Sequence, residues 1–91
     1  MQAYIKKYLN YFDLGEQDII HCECCPKSGR VDGSGFDIHH IYGRGKGKDV
    51  IENLMCLCRE DHNRANSKKL PKEELMQIHL NFMRIYEKSR K

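Results

Sequence analysis

Two adjacent histidines and a third one further along the chain limit what this sequence can fold into and do. His39 and His40 lie between apolar residues in a run typical of a short strand, and His62 follows Asn53 by nine residues. A neutral imidazole binds divalent ions, and its ordinary pKa of about 6.5 makes it a good base near neutral pH. These three histidines are therefore candidates for metal ligation and for proton transfer.

The chain is short. Its 91 residues predict one domain, 1–91, with a core of modest stability, so that a bound structural metal would be a natural supplement. The first residues lack the apolar run of a signal peptide, and no stretch approaches the length of a membrane span. We therefore expect a cytoplasmic protein.

The cysteines form two clusters, Cys22, Cys24 and Cys25 in the first and Cys56 and Cys58 in the second. Five is an odd number, and a chain without an export signal is not expected to rely on disulfides. Metal ligation is the favoured interpretation of both clusters.

Positive charge is concentrated in one part of the chain. Residues 1–41 carry four Lys and Arg against six Asp and Glu, whereas residues 42–72 carry eight against four. This basic part is centred on the glycine-rich segment 42–48, beside the histidines, which suits a polyanionic partner such as nucleic acid. The alternative is that the segment is an ordinary solvated loop.

Hydrophobic spacing outlines the elements around the histidines. An amphipathic pattern predicts a helix over 4–12 that ends near Gly15, and residues 17–35 are expected to form a cysteine knuckle with irregular turns. Strands are expected at 36–41 and 54–57. A helix at 59–68 would carry His62 and Asn66 on one face, because they are four residues apart.

A regular helix is predicted over residues 71–88. Pro71 suits its first turn, and an apolar stripe of Leu75, Ile78, Phe82 and Ile85 would pack on the core. His79 lies within this helix and is expected to be a packing or surface residue rather than a ligand.

The joint pattern resembles the HNH endonuclease family over roughly residues 22–66, in particular small phage-type members that open the unit with a cysteine knuckle. The resemblance implies an α+β fold, with a treble-clef-like ββα-metal unit and flanking N- and C-terminal helices. It is carried by Cys22-Glu23-Cys24-Cys25, Asp37-Ile38-His39-His40-Ile41, the Gly/Arg/Lys loop, Ile51-Glu52-Asn53-Leu54-Met55 and Cys58-Arg59-Glu60-Asp61-His62.

The resemblance also implies roles for single residues. His40 matches the general base of the family, and His39 and His62 match its metal ligands. Asn53 matches the central asparagine, whose side chain holds the loop between the strands. Asn66 stands where some members have a further histidine and could contact the metal, the substrate or water.

Strand geometry constrains this assignment. Neighbouring side chains on a strand point to opposite faces, so His39 and His40 can serve one site only if the strand ends or bends there. The resemblance implies that it does; the alternative is that one of the two is a buried, hydrogen-bonded core histidine.

A second metal site is implied by knuckle-bearing relatives, in which two Cys-x-x-Cys pairs hold a structural zinc. Cys22 and Cys25 match the first pair and Cys58 opens the second, but Asp61 stands at the last position. A carboxylate can bind zinc. Cys24 or Cys56 could replace it after local rearrangement, and loss of the zinc site is equally open.

The implied activity is hydrolysis of DNA to 5′-phosphate and 3′-hydroxyl ends by one divalent ion, which could be Mn, Ni, Co, Zn or Mg. Nicking and double-strand cleavage are both compatible with these residues, and a phage-encoded protein would act in the host cytoplasm. The alternative is a non-catalytic, zinc-stabilised nucleic-acid-binding module, which would have no use for the three histidines. The side chains expected to hold the DNA backbone are Arg44, Lys46, Lys48, Arg59 and Arg64.

Overall fold

The computed structural model describes residues 2–30 and 35–89. Within them the chain forms three helices and two antiparallel hairpins. The predicted α+β fold class is confirmed. In chain order the elements are α1 (Ala3–Tyr11), β1 (Ile19–His21), β2 (Ser28–Arg30), β3 (Phe36–His40), a 3₁₀ turn (Ile51–Asn53), β4 (Leu54–Cys58), α2 (Arg59–Asn66) and α3 (Lys72–Ser89).

The β3–β4–α2 segment is the ββα unit. Strands β3 and β4 are antiparallel, with Phe36 opposite Cys58 and His40 opposite Leu54. Helix α2 follows β4 without a loop, because Cys58 is both the last residue of β4 and the N-cap of the helix. The Cys58 Sγ accepts a hydrogen bond from the Asp61 amide, which satisfies one of the free N–H groups of the first turn.

The prediction that residues 17–35 lack regular structure was wrong in part. Strands β1 and β2 pair within this stretch, with Ile20 opposite Gly29, while residues 31–34 lie outside the described residues. Each strand has only three residues, and Ser28-Gly29-Arg30 shows no hydrophobic alternation. A Cβ on Gly29 would lie 2.5 Å from the Phe36 ring, so glycine is needed for the close approach of this hairpin to β3.

Strand β4 lies at the centre of the core, and all five of its residues are buried. Its side chains alternate between two hydrophobic clusters. Leu54 and Cys56 face the cluster of α1 and Ile20, and Met55 and Leu57 face the cluster that includes Leu75 of α3. The unit that carries the histidines is therefore packed on both sides.

Helix α3 begins just after Pro71 and buries Leu75 and His79 most deeply. Ile85, predicted to complete the apolar stripe, is 59% exposed. Its neighbour Tyr86 packs on Phe12 of α1 instead, with ring centroids 4.8 Å apart. Among the described helices, none combines the length and the apolar character needed to cross a membrane.

Candidate active site and metal centre

The end of β3 brings both adjacent histidines to one cavity. Strand β3 stops at His40, and His39 and His40 line a cavity of about 380 Å³ together with His62 and Asn66. Alternation persists within the strand, since His39 is half-buried and His40 is only 7% exposed. The strand end thus gives one cavity access to side chains from both faces of β3.

His39 and His62 lie side by side in this cavity, with ring centroids 5.0 Å apart. Burial, together with the nearby His62 and His40, lowers the pKa of His39 to about 4. The His39 imidazole is therefore neutral at pH 7, and a neutral imidazole has the lone pair that a metal ligand needs.

Asp37, for which the sequence predicted no definite role, also belongs to this site. Its Oδ2 lies 2.9 Å from Nδ1 of His62, and Arg59 donates to the same oxygen from Nε at 2.9 Å. Burial raises the pKa of Asp37, but the hydrogen bonds from His62 and Arg59 outweigh it and keep that pKa below its usual value. The available signal was its position two residues before His39, on the same face of β3.

The contact between Asp37 and His62 determines which nitrogen of His62 is open. An ionised carboxylate only accepts hydrogen bonds, so Nδ1 of His62 donates to Asp37, and in the neutral ring Nε2 is the nitrogen with the lone pair. A carboxylate on the far nitrogen of a metal-binding histidine is a common arrangement that fixes the orientation of the ring. His62 is therefore held in a form suited to binding an ion through Nε2.

Asn53 fastens the loop that follows His40. Its Oδ1 accepts from the Tyr42 amide at 2.8 Å, and its Nδ2 donates to the carbonyls of Gly43 and Lys48 at 3.2 and 2.9 Å. The Ile41 amide also donates to the Asn53 carbonyl at 2.9 Å. One amide side chain thus connects the two ends of the 42–48 loop and fixes the backbone next to His40.

His40 has two neighbours that were not foreseen. Its Nε2 lies 2.7 Å from Oδ1 of Asp49, and the ring of Tyr4 packs edge-on against it with centroids 4.6 Å apart. Asp49 is the single acidic residue in the basic segment 42–50, which was a signal in the sequence. Tyr4 comes from α1, and only the tertiary structure brings it here.

Three of the five predicted DNA-binding residues lie on the loop. Arg44 lines the cavity, donates to the Tyr4 hydroxyl at 3.1 Å and stacks over the Tyr4 ring. Lys48 donates to the Tyr42 carbonyl at 3.1 Å, and Lys46 is exposed. All three cations are exposed on the loop that follows His40, and Arg44 is the one that lines the histidine cavity.

The other two predicted DNA-binding residues are in ion pairs. Arg59 binds Asp37, and Arg64 donates to Oδ1 of Asp61 at 3.1 Å. Their side chains remain 58% and 49% exposed. Both arginines therefore orient carboxylates of the two candidate metal sites while staying accessible to solvent.

The four residues expected to hold a structural metal lie together. One ligand atom from each of Cys22, Cys25, Cys58 and Asp61 lies within 4.8 Å of all the others. Zn–S bonds of about 2.3 Å give a tetrahedron with edges of about 3.8 Å. The Sγ atoms of Cys25 and Cys58 are 3.7 Å apart, which matches such an edge. Cys24 and Cys56 are outside the cluster.

Asp61 faces the thiols with one oxygen only. Its Oδ2 accepts from the thiols of Cys22 and Cys58 at 3.2 and 3.4 Å, while Arg64 holds Oδ1. Burial alone would raise the pKa of Asp61, but these hydrogen bonds bring that pKa below its usual value. The pKa of the Cys22 thiol is raised by burial to about 12. The donor set of three sulfurs and one carboxylate oxygen fits zinc, which would displace the thiol protons. In the described part of the chain, no second group of three or more such side chains comes this close.

Comparison with known proteins agrees with the geometry. The family model described as HNH endonuclease matches residues 22–68, more than half of the chain, and this range contains both cysteine clusters and all three site histidines. No curated protein and no solved structure gives a significant match. The chain belongs to the HNH endonuclease family.

Proposed function

We propose that this protein is a metal-dependent endonuclease that hydrolyses DNA phosphodiester bonds and leaves 5′-phosphate and 3′-hydroxyl ends. The observation that carries the proposal is the cavity at the end of β3. There the ring centroids of the neutral His39 and of His62 are 5.0 Å apart. The adjacent His40 lines the same cavity from the other face of the strand. A nucleic-acid-binding module would not need this arrangement.

His39 and His62 are the proposed ligands of a single divalent ion. When bound, the ion would stabilise negative charge on the scissile phosphate and on the departing 3′ oxygen. Asp37 supports this role by holding Nδ1 of His62. Asn66 lines the cavity on the same helix face as His62 and is a proposed contact for the ion, the substrate or water.

His40 is the proposed general base, which takes a proton from the attacking water. It is not assigned to the ion, so it keeps a free lone pair for that proton. Asn53 contributes indirectly, because its hydrogen bonds fix the loop that begins at Tyr42. Removing a positioned base costs about 10²- to 10⁴-fold in rate.

The DNA backbone is proposed to lie across the basic loop. Arg44, Lys46 and Lys48 are exposed on this loop, and phosphate contacts from such side chains give binding that weakens with salt. Exposed Arg59 and Arg64 would add contacts while keeping their carboxylate partners. We propose zinc for the Cys22, Cys25, Cys58 and Asp61 cluster, where it would stabilise the fold.

A plasmid-nicking assay tests the proposed activity. Purified protein with Mn²⁺ should convert supercoiled DNA to cleaved forms, and EDTA should abolish this. His40→Ala should lower the rate by more than about a hundredfold while metal and DNA binding stay close to wild type.

If the wild type binds DNA but cleaves none with any of the five candidate metals, the chain is the non-catalytic module. Loss of metal affinity in His40→Ala would instead mean that His39 and His40 exchange roles.

A further inference from the structure

We propose that Asp49 is a positioning residue for the base, holding the His40 imidazole with its proton on Nε2 so that Nδ1 accepts the proton from water. The proposal rests on the proposed function and adds a residue to it. Asp49 lies in the glycine-rich loop, nine residues after His40 in sequence.

The contact itself has the features of a charge-assisted hydrogen bond. Nε2 of His40 and Oδ1 of Asp49 are 2.7 Å apart, at the short end for N–H···O bonds and typical of a charged partner. An ionised carboxylate has no proton to give, so the imidazole must donate. The bond therefore specifies which nitrogen carries the proton and leaves the other nitrogen with a lone pair.

The position of Asp49 is fixed from both sides. Lys7 of α1 donates from Nζ to the Asp49 carbonyl at 2.8 Å. Both neighbours of Asp49 in the chain are held by Asn53. The Asn53 Nδ2 donates to the Lys48 carbonyl, and the Asn53 backbone amide donates to the Val50 carbonyl, each at 2.9 Å. The carboxylate thus sits on an anchored piece of backbone although its side chain is 50% exposed.

The surroundings of His40 leave Asp49 as its charged partner. The His40 side chain is only 4% exposed, and the Tyr4 ring packs on it with Arg44 stacked beyond. In this enclosed position the ring cannot easily be oriented by solvent. An orienting carboxylate acts on a catalytic imidazole by fixing its tautomer and rotation, and the removal of such a group lowers kcat.

A different role for Asp49 would give the opposite result. A carboxylate beside a DNA-binding cavity also repels phosphate, and if that were its effect, removing the charge would raise both DNA affinity and cleavage. The positioning role predicts that cleavage falls while DNA affinity stays the same or rises. The split between kcat and KM therefore separates the two roles.

The experiment compares Asp49→Asn and Asp49→Ala with the wild type, using Mn²⁺ and plasmid DNA. We expect kcat to fall about tenfold or more, because a misoriented base loses part of the 10²- to 10⁴-fold rate increase that a positioned base contributes. KM should be unchanged or lower. Asp49→Glu keeps the carboxylate and should retain more activity than Asp49→Asn. The control is Glu16→Gln, which removes the same charge from an exposed residue outside the matched range.

Proton NMR of the metal-free protein gives a readout independent of cleavage. A buried imidazole N–H bonded to a carboxylate exchanges slowly enough to give a downfield resonance, which we expect from His40 Nε2–H in the wild type and not in Asp49→Ala. Two results would overturn the role of Asp49 without touching the proposed function. One is an NMR spectrum that places the His40 proton on Nδ1, and the other is an active wild type with the same kcat as Asp49→Asn. A wild type that cleaves no DNA would overturn the proposed function first and this role with it.

Discussion

Glu23 and His79 form an enclosed ion pair that joins the cysteine knuckle to α3, with Oε1 and Nδ1 2.7 Å apart and neither side chain exposed. The remaining oxygen of Glu23 accepts from the Tyr8 hydroxyl at 2.6 Å and from the Cys56 amide at 3.0 Å. Nε2 of His79 donates to the Ile51 carbonyl at 2.6 Å. The network therefore links α1, β4, the 3₁₀ turn and α3 through one carboxylate.

The network predicts a large loss of stability on removal of His79. Both ring nitrogens of His79 face acceptors, which favours the imidazolium form, and His79→Ala would leave Glu23 buried without this partner. Breaking a buried pair in this way costs about 3–5 kcal/mol. Urea denaturation should show this loss, whereas Gln77→Ala, at an exposed position on the same helix, should change the free energy of unfolding little. Equal stability of the two variants would contradict the pairing.

The same pair predicts a pH dependence of stability. Burial lowers the pKa of His79, but the hydrogen bond and charge of Glu23, with smaller help from Ile51 and Glu52, raise it above the ordinary value of about 6.5. A raised folded-state pKa stabilises the fold fully below about pH 6.5, and this contribution is lost as the pH rises through the folded-state value. The stability difference between wild type and His79→Gln should therefore shrink from pH 6 upwards into the alkaline range. A difference that grows with pH would contradict it.

The strands and helix of the ββα unit were predicted from short apolar runs and residue spacing, which are local signals, and their arrangement was implied by the family resemblance. The Cys22, Cys25, Cys58 and Asp61 cluster was implied by the family resemblance, and the four side chains do lie together. Asp49 and Tyr4 were missed because their contacts with His40 depend on how the loop and α1 pack, which no local pattern encodes. Ile85 and Tyr86 illustrate the same limit, because the rotation of α3 about its axis determines which of these two neighbours packs against α1.

The cysteine cluster predicts one tightly bound zinc. Elemental analysis should find about one equivalent that resists mild chelation. Cys25→Ser should lose this zinc and lower Tm, whereas Cys24→Ser, one residue away and outside the cluster, should keep it. Asp61→Cys should bind zinc more tightly and raise Tm, because it completes a four-thiolate set. Metal-free protein with unchanged Tm in Cys25→Ser would rule the site out.

Asp37 is expected to control metal affinity at the histidine site. Asp37→Asn can no longer offer a charged acceptor to His62 Nδ1, and loss of such a partner typically weakens metal binding about 10- to 100-fold. Calorimetric titration of Ni²⁺ into the EDTA-treated protein should show this loss. Asp18→Asn is the matched control, because Asp18 hydrogen-bonds the Gly15 amide in a turn away from the cavity. An unchanged affinity in Asp37→Asn would mean that the charge of Asp37 does not control metal binding at His62.

The last prediction concerns the ion that supports cleavage. His39 and His62 offer two nitrogen ligands, while Asp37 is occupied by His62 and Arg59. Imidazole suits cobalt, nickel and zinc, and manganese accepts nitrogen ligands more readily than magnesium, which prefers oxygen ligands and retains much of its water. We therefore expect faster nicking with Mn²⁺, Co²⁺ or Ni²⁺ than with Mg²⁺ at equal concentration.

Changing one ligand should reverse that preference. His39→Asp replaces a neutral nitrogen with a charged oxygen and should shift the relative nicking rate toward Mg²⁺, with the total rate compared at saturating metal. Zn²⁺ is expected to bind tightly, and it should turn over slowly if it settles into a closed tetrahedral site, which leaves no position for the phosphate. If Mg²⁺ outperforms the other ions in the wild type, a carboxylate must complete the site. Asp37, two residues from His39 and already in contact with His62, would then have to leave its hydrogen bonds and bind the ion directly.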